Sequence, residues 1–120
     1  MTRRHACLII LLALPAGCGG DEPTATVRDD RVAVRIQDFR YTPQTIRASA
    51  GNLRFTLTNR GRLAHTFRVS RANTTIAKVS SLLPGDRASK RVRVRKGEYR
   101  FFCALSNHEE LGMYGTLIVK

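Results

Sequence analysis

The 120-residue chain carries 21 lysines and arginines against 9 acidic residues, a formal net charge of +12, with 42% apolar residues and no Trp. That length holds one domain with a single core and leaves no room for two. The charge raises the question of nucleic acid. The basic residues are scattered singly, however, as in Arg91-Val92-Arg93-Val94-Arg95, where alternation puts the arginines on one solvent face. Such a surface suits solvation, an acidic partner or an anionic membrane, and nucleic-acid binding is set aside.

The chain opens with Arg3-Arg4, an apolar run from Ala6 to Ala16 and then small residues. This is the charged, apolar and small-residue order of an export signal over residues 1–17, and the run falls short of the roughly 20 apolar residues that span a bilayer. Leu14-Pro15-Ala16-Gly17-Cys18 resembles a bacterial lipoprotein box, with Pro15 where Leu is usual. The resemblance implies cleavage before Cys18, lipidation of that cysteine, and a location in the cell envelope or periplasm, anchored to the membrane. The chain without residues 1–17 keeps 19 basic against 9 acidic residues. Residues 18–30, which include GGDEPTATVRDD, are polar, with no apolar period, and predict a flexible tether. The domain proper is expected over residues 31–120.

Within it, period-two alternation dominates. Val32, Val34 and Ile36 define a strand, and Thr45 to Ala48 a short second one that ends at Ala50-Gly51-Asn52. Leu53, Phe55 and Leu57 define a third that closes at Asn59, and Asn59-Arg60-Gly61 reads as a turn before extended Thr66 to Val69. Residues 73–81 admit either a strand or a short helix. Pro84-Gly85-Asp86 turns the chain into Ala88 to Val94, Lys96-Gly97 turns it again into Glu98 to Cys103, and Gly115 to Lys120 closes it. Seven or eight short strands at this spacing indicate an all-β sandwich. An immunoglobulin sandwich wants a core Trp and an inter-sheet disulfide, and neither is available.

The stretch FFCALSNHEELGMYG places Cys103, His108 and Met113 four intervening residues apart each time. With Cys7 leaving in the signal and Cys18 lipidated, Cys103 is a lone thiol in an exported protein, where thiols tend to pair or oxidise. With His5 and Met1 gone too, His65, His108 and Met113 are the other soft or imidazole donors. Two imidazoles, a thiolate and a thioether are the donors of a mononuclear type 1 copper site, the first three in a plane and the Met at a long axial distance. Zinc would accept Cys and two His with water, but gains nothing from a thioether.

In that order, and flanked by Tyr99 to Phe102, Gly112 and Gly115 to Val119, the residues resemble the C-terminal ligand loop of cupredoxins, above all small plastocyanin- and azurin-like domains. The upstream landmarks Phe39, Pro43, Ala50-Gly51, Phe55 to Asn59 and His65, and later Leu83-Pro84-Gly85-Asp86, fit the same family over residues 31–120. The resemblance implies a cupredoxin-like Greek-key sandwich holding one type 1 copper ion through His65, Cys103, His108 and Met113. Asn59 and Thr66 would support the ligands, Thr66 standing where relatives carry Asn. Ser106-Asn107 replaces a common Pro-Gly before the second His, and Asn107 tolerates the positive φ of a turn. The implied function is that of a one-electron carrier tethered to the cell envelope, monomeric, serving redox partner proteins of acidic surface. Electrons would pass near His108 through an apolar collar of Leu63, Leu105 and Leu111. Copper delivery or sequestration is the alternative with the same ligands, although open Met- or His-rich tracts are absent. An enzyme is disfavoured: a trinuclear copper centre needs further histidines, and no Ser sits in a nucleophile elbow.

Overall fold

The computed structural model describes residues 23–120, which form ten strands and no helix. These are β1 (Thr24–Thr26), β2 (Arg31–Gln37), β3 (Arg40–Thr42), β4 (Thr45–Ala48), β5 (Gly51–Asn59), β6 (His65–Arg71), β7 (Thr74–Leu82), β8 (Arg87–Val94), β9 (Gly97–Phe102) and β10 (Tyr114–Val119). They build two sheets, one ordered β1-β4-β10-β9-β6-β7 and the other β3-β2-β5-β8. The expected export signal, the lipidation site Cys18 and the first part of the tether lie outside the described residues.

Alternation explains most elements directly. In β2 every second residue is buried, so Val32, Val34 and Ile36 face inward while Arg31, Ala33 and Arg35 face water. β5 and β8 follow suit, and the outer face of the four-stranded sheet carries a cross-strand row of Arg31, Arg54 and Arg91. Arg91 and Arg93 share the solvent face that their spacing predicts. Between the sheets, Tyr41, Phe55, Phe67 and Phe101 are fully buried, with ring centroids 5.2–5.7 Å apart. Edge-on and tilted rings at such spacing add to the burial free energy, which is about 1.5–3 kcal/mol for a large apolar side chain.

Three details differ from the sequence reading. The strand count exceeds seven or eight because two three-residue strands, β1 and β3, carry too little pattern to see. β1 lies within the stretch read as a tether: it runs parallel to β4, and Pro23 O accepts hydrogen bonds from Gln44 N and Thr45 N. This edge pairing satisfies backbone groups that a free linker would leave to water. The ambiguous segment 73–81 is strand, not helix: β7 pairs along β6, and Ala72 and Asn73 make the turn between them with positive φ. Its β-branched residues and the available edge of β6 outweigh local helix propensity.

Candidate metal centre

The site forms where two strand ends meet one loop. Asn59 closes β5, His65 opens β6, and Cys103 follows β9 directly. The imidazole nitrogens of His65 and His108 and the thiol of Cys103 lie within 4.8 Å of one another. Cys103 Sγ and His108 Nδ1 are 3.6 Å apart. Two donors bonded to one metal at roughly 2.3 Å (sulfur) and 2.0–2.1 Å (nitrogen) are about 3.5–3.8 Å from each other at angles between tetrahedral and trigonal. The spacing of this pair is therefore that of two donors on one metal.

The loop that carries three of the four sulfur and imidazole donors closes on itself. Cys103 N donates to Met113 O, Met113 N to His108 O, His108 N to Leu105 O and Gly112 N to Glu109 O, at 3.0–3.1 Å. Gly112, at φ 110°, lets the chain turn into Met113, which is fully buried beside Cys103. The positive φ of the preceding turn falls on Ser106 (45°) rather than on the expected Asn107. The turn forms all the same.

Both expected supporting residues contact the ligand framework. Asn59, fully buried, donates through Nδ2 to Leu63 O (2.9 Å) and Leu82 O (2.8 Å), and its Oδ1 accepts from Gly61 N (2.9 Å). It thus pins the turn leading to His65 from both sides. Thr66 Oγ1 accepts from Ala104 N at 2.8 Å and reaches Cys103 Sγ at 3.6 Å, while Thr66 N donates to the same sulfur at 3.4 Å. The shorter side chain still ties β6 to the ligand loop.

One supporting residue was not legible in the sequence. Asp38, at the tip between β2 and β3, places Oδ1 2.6 Å from His65 Nε2. Its carboxylate also accepts from Arg62 N (2.8 Å) and Leu63 N (3.3 Å). An acidic residue in a surface hairpin reads as turn chemistry, and only the folded register brings it to the first histidine. Burial raises its pKa, but the hydrogen bonds from Arg62, His65 and Leu63 together prevail and hold it below the usual 3.8. Its neighbour Phe39 stands edge-on to both imidazoles, with centroids 6.3 Å from His65 and 4.9 Å from His108.

His65 shows how the donor set fits a metal. Its Nε2 is taken by Asp38, which leaves Nδ1 as the buried side-chain nitrogen without a partner among the described residues. A buried, unsatisfied acceptor costs about 1–3 kcal/mol unless something meets it, and this one belongs to the ring grouped with Cys103 and His108. His108 is held neutral below its ordinary 6.5, first by burial and then by the neighbouring His65, against a weaker upward pull from Asp38. Two imidazoles, a buried thiol and a thioether are donors for a soft or borderline cation. Copper fits all four; zinc would leave the Met without a role. Around the site Leu63, Leu105 and Leu111 are exposed, and Leu83, not foreseen in this role, joins them at the same end.

A family model described as a cupredoxin-like domain matches residues 7–119. No curated protein matches the chain. Among solved structures, the chain is similar to dithionite-reduced auracyanin of the photosynthetic bacterium Roseiflexus castenholzii, at 16% identity and a TM-score of 0.69, over 77% of this chain and 98% of that one. Rusticyanin of Thiobacillus ferrooxidans is similar at 19% identity and 0.67, over 81% and 82%. Auracyanin A, a "blue" copper protein of the green thermophilic photosynthetic bacterium Chloroflexus aurantiacus, follows at 15% and 0.63, over 75% and 99%. At these identities the likeness is one of fold.

Proposed function

The chain belongs to the cupredoxin-like family, and on that premise we propose that it is a type 1 copper electron carrier. The observation that carries the reading is the convergence of His65, Cys103 and His108 donors within 4.8 Å beside buried Met113. Copper bound there would supply a one-electron Cu(I)/Cu(II) couple. The protein's part is to hold the donors still. Cys103, His108 and Met113 are fixed by backbone hydrogen bonds inside their own loop, His65 is fixed by β6 and Asp38, and Thr66 donates to the sulfur. A frame of this kind rearranges little when the charge at its centre changes, which favours fast electron exchange.

His108 is the partly exposed donor, whereas His65 and Cys103 are buried. It gives the shortest route to a docked partner, and exposed apolar residues are available for docking: Leu105 and Leu111 in its own loop, Leu63 in the turn before His65 and Leu83 just beyond β7. Arginines are spread over both sheets, among them the row Arg31, Arg54 and Arg91 on the four-stranded one, and Arg60 and Arg62 lie in the turn beside Leu63. A partner that covers the collar with apolar groups and meets those arginines with carboxylates fits this end. Electron transfer to a protein partner, rather than catalysis on a small molecule, is the role this end supports. The reading also includes an exported, lipid-anchored chain, supported by the apolar run and Cys18 in the sequence.

Adding Cu(II) to the protein and recording visible and EPR spectra tests this. An intense thiolate-to-copper band that bleaches with ascorbate, returns with oxidant and vanishes in Cys103→Ser is expected. A pale adduct, or a preference for zinc, would overturn the electron-carrier reading in favour of metal storage.

A further inference from the structure

Asp38 is not one of the metal-donor side chains, yet it makes a short polar contact, 2.6 Å, with one of them. Three features mark it as built for that contact. Its Oδ1 meets Nε2 of a completely buried imidazole at 2.6 Å, with the carboxylate itself only 21% exposed. Two backbone N–H groups fix the carboxylate as well, Arg62 N at Oδ2 and Leu63 N at the same Oδ1 that meets the imidazole. The third feature is Gly61: a Cβ there would collide with Asp38 Oδ1 and lie 3.0 Å from its Cγ. The turn before His65 therefore leaves room for a carboxylate that any other residue at position 61 would displace.

We propose that Asp38 is the positioning residue of His65: its carboxylate holds the imidazole in the Nε2–H tautomer, keeps Nδ1 free for the metal, and biases the site toward the more highly charged metal ion. This rests on the copper reading of the same site. The chemistry follows from the contact. An ionised carboxylate only accepts hydrogen bonds, so the proton of a neutral His65 must sit on Nε2 and the lone pair on Nδ1. A hydrogen bond from a ligand's remote nitrogen to an anion makes that ligand more basic. The negative charge and the added basicity both stabilise Cu(II) more than Cu(I), so Asp38 lowers the reduction potential. A role confined to capping the 61–63 turn would produce neither the tautomer preference nor the shift in potential.

The test has a metal-free and a metal-bound arm. Imidazole 15N shifts of the apoprotein are expected to show His65 protonated at Nε2, and Asp38→Asn to weaken that preference. A wild-type apoprotein protonated at Nδ1 would overturn the proposal whatever metal the site binds. In the loaded protein, Asp38→Asn is expected to lower Cu(II) affinity about 10- to 100-fold and Cu(I) affinity less. Each factor of ten in that difference raises the potential by about 59 mV. Gly61→Ala, which displaces the carboxylate without removing it, is expected to shift the potential the same way, and the double variant no further than Asp38→Asn alone. An unchanged or lower potential in Asp38→Asn with the type 1 spectrum intact would also overturn it. Loss of the type 1 spectrum in the wild type, with the Nε2–H tautomer present, would instead remove the copper reading and leave the positioning role standing.

Discussion

Thr66→Val removes one hydroxyl at the joint between β6 and the ligand loop and leaves the shape of the side chain almost unchanged. The hydroxyl makes two contacts: a well-formed one from Ala104 N at 2.8 Å and a long one to Cys103 Sγ at 3.6 Å. A typical hydrogen bond contributes about 0.5–1.5 kcal/mol net. Ala104 is exposed, so its N–H can turn to water and the full penalty of an orphaned donor does not arise. Thr66 itself is only 5% exposed, so the new methyl is buried and returns part of the loss. The sum is about 1 kcal/mol, a fall in the melting temperature of about 4–8 °C for a domain of this size. The redox effect has its own sign. Thr66 N still donates to the sulfur at 3.4 Å, but the loss of the second donor leaves the thiolate more electron-rich and favours the oxidised metal. A difference of about 0.5–1 kcal/mol between oxidation states lowers the potential by roughly 20–45 mV, opposite to the shift expected for Asp38→Asn. Thermal denaturation of the apoprotein and voltammetry of the copper-loaded protein measure the two effects. A melting temperature within a degree of wild type, together with an equal or higher potential, would refute the bridging role of Thr66.

Two further outcomes concern the frame and its response to acid. Asn59→Ala strips both hydrogen bonds that a buried amide gives to Leu63 O and Leu82 O and the one it takes from Gly61 N; a loss of about 2–4 kcal/mol is expected in urea denaturation, and a loss under about 1 kcal/mol would show that the turn holds itself. In the apoprotein, folding keeps His108 neutral below its ordinary 6.5 and Asp38 ionised below its ordinary 3.8. Each depressed pKa contributes stability that is complete above the unfolded value and lost as the pH falls through the folded one. The urea midpoint should therefore decline from about pH 6.5 downward and again below about pH 3.8, with His108→Gln removing the first decline and Asp38→Asn the second.

The sandwich and the three donors of the C-terminal loop were legible because each rests on a strong local signal, whereas His65 was reached through the order of family landmarks and the shortage of other imidazoles. Alternation in RVAVRIQ and LRFTLTN sets which side chains face inward. A thiol followed by His108 and Met113 at even spacing points to a metal, because core packing alone would not put three donors of that kind in one loop. What stayed hidden depends on register between distant segments. β1 is three residues long and takes its conformation from the edge of β4, so its sequence alone carries no period. β7 looked open to helix because the decisive partner, β6, lies across a turn whose Ala72 is an unusual residue for positive φ. Asp38 was missed for the same reason: its role depends on a hairpin tip reaching the turn at Gly61 from another part of the sheet.

The self-closed loop also bears on how far bound metal can stabilise the fold. A ligand that binds native and unfolded chains alike shifts nothing, and only the excess affinity of the native state counts. Cys103, His108 and Met113 lie within eleven residues, so the unfolded chain keeps three donors close together and retains much of its hold on the ion. His65, with Asp38 behind it, is the donor that folding alone delivers. The thermodynamic linkage between metal and fold therefore runs chiefly through the β6 side of the site, and a metal ion already held by the loop can be carried into the native state as the sheets close.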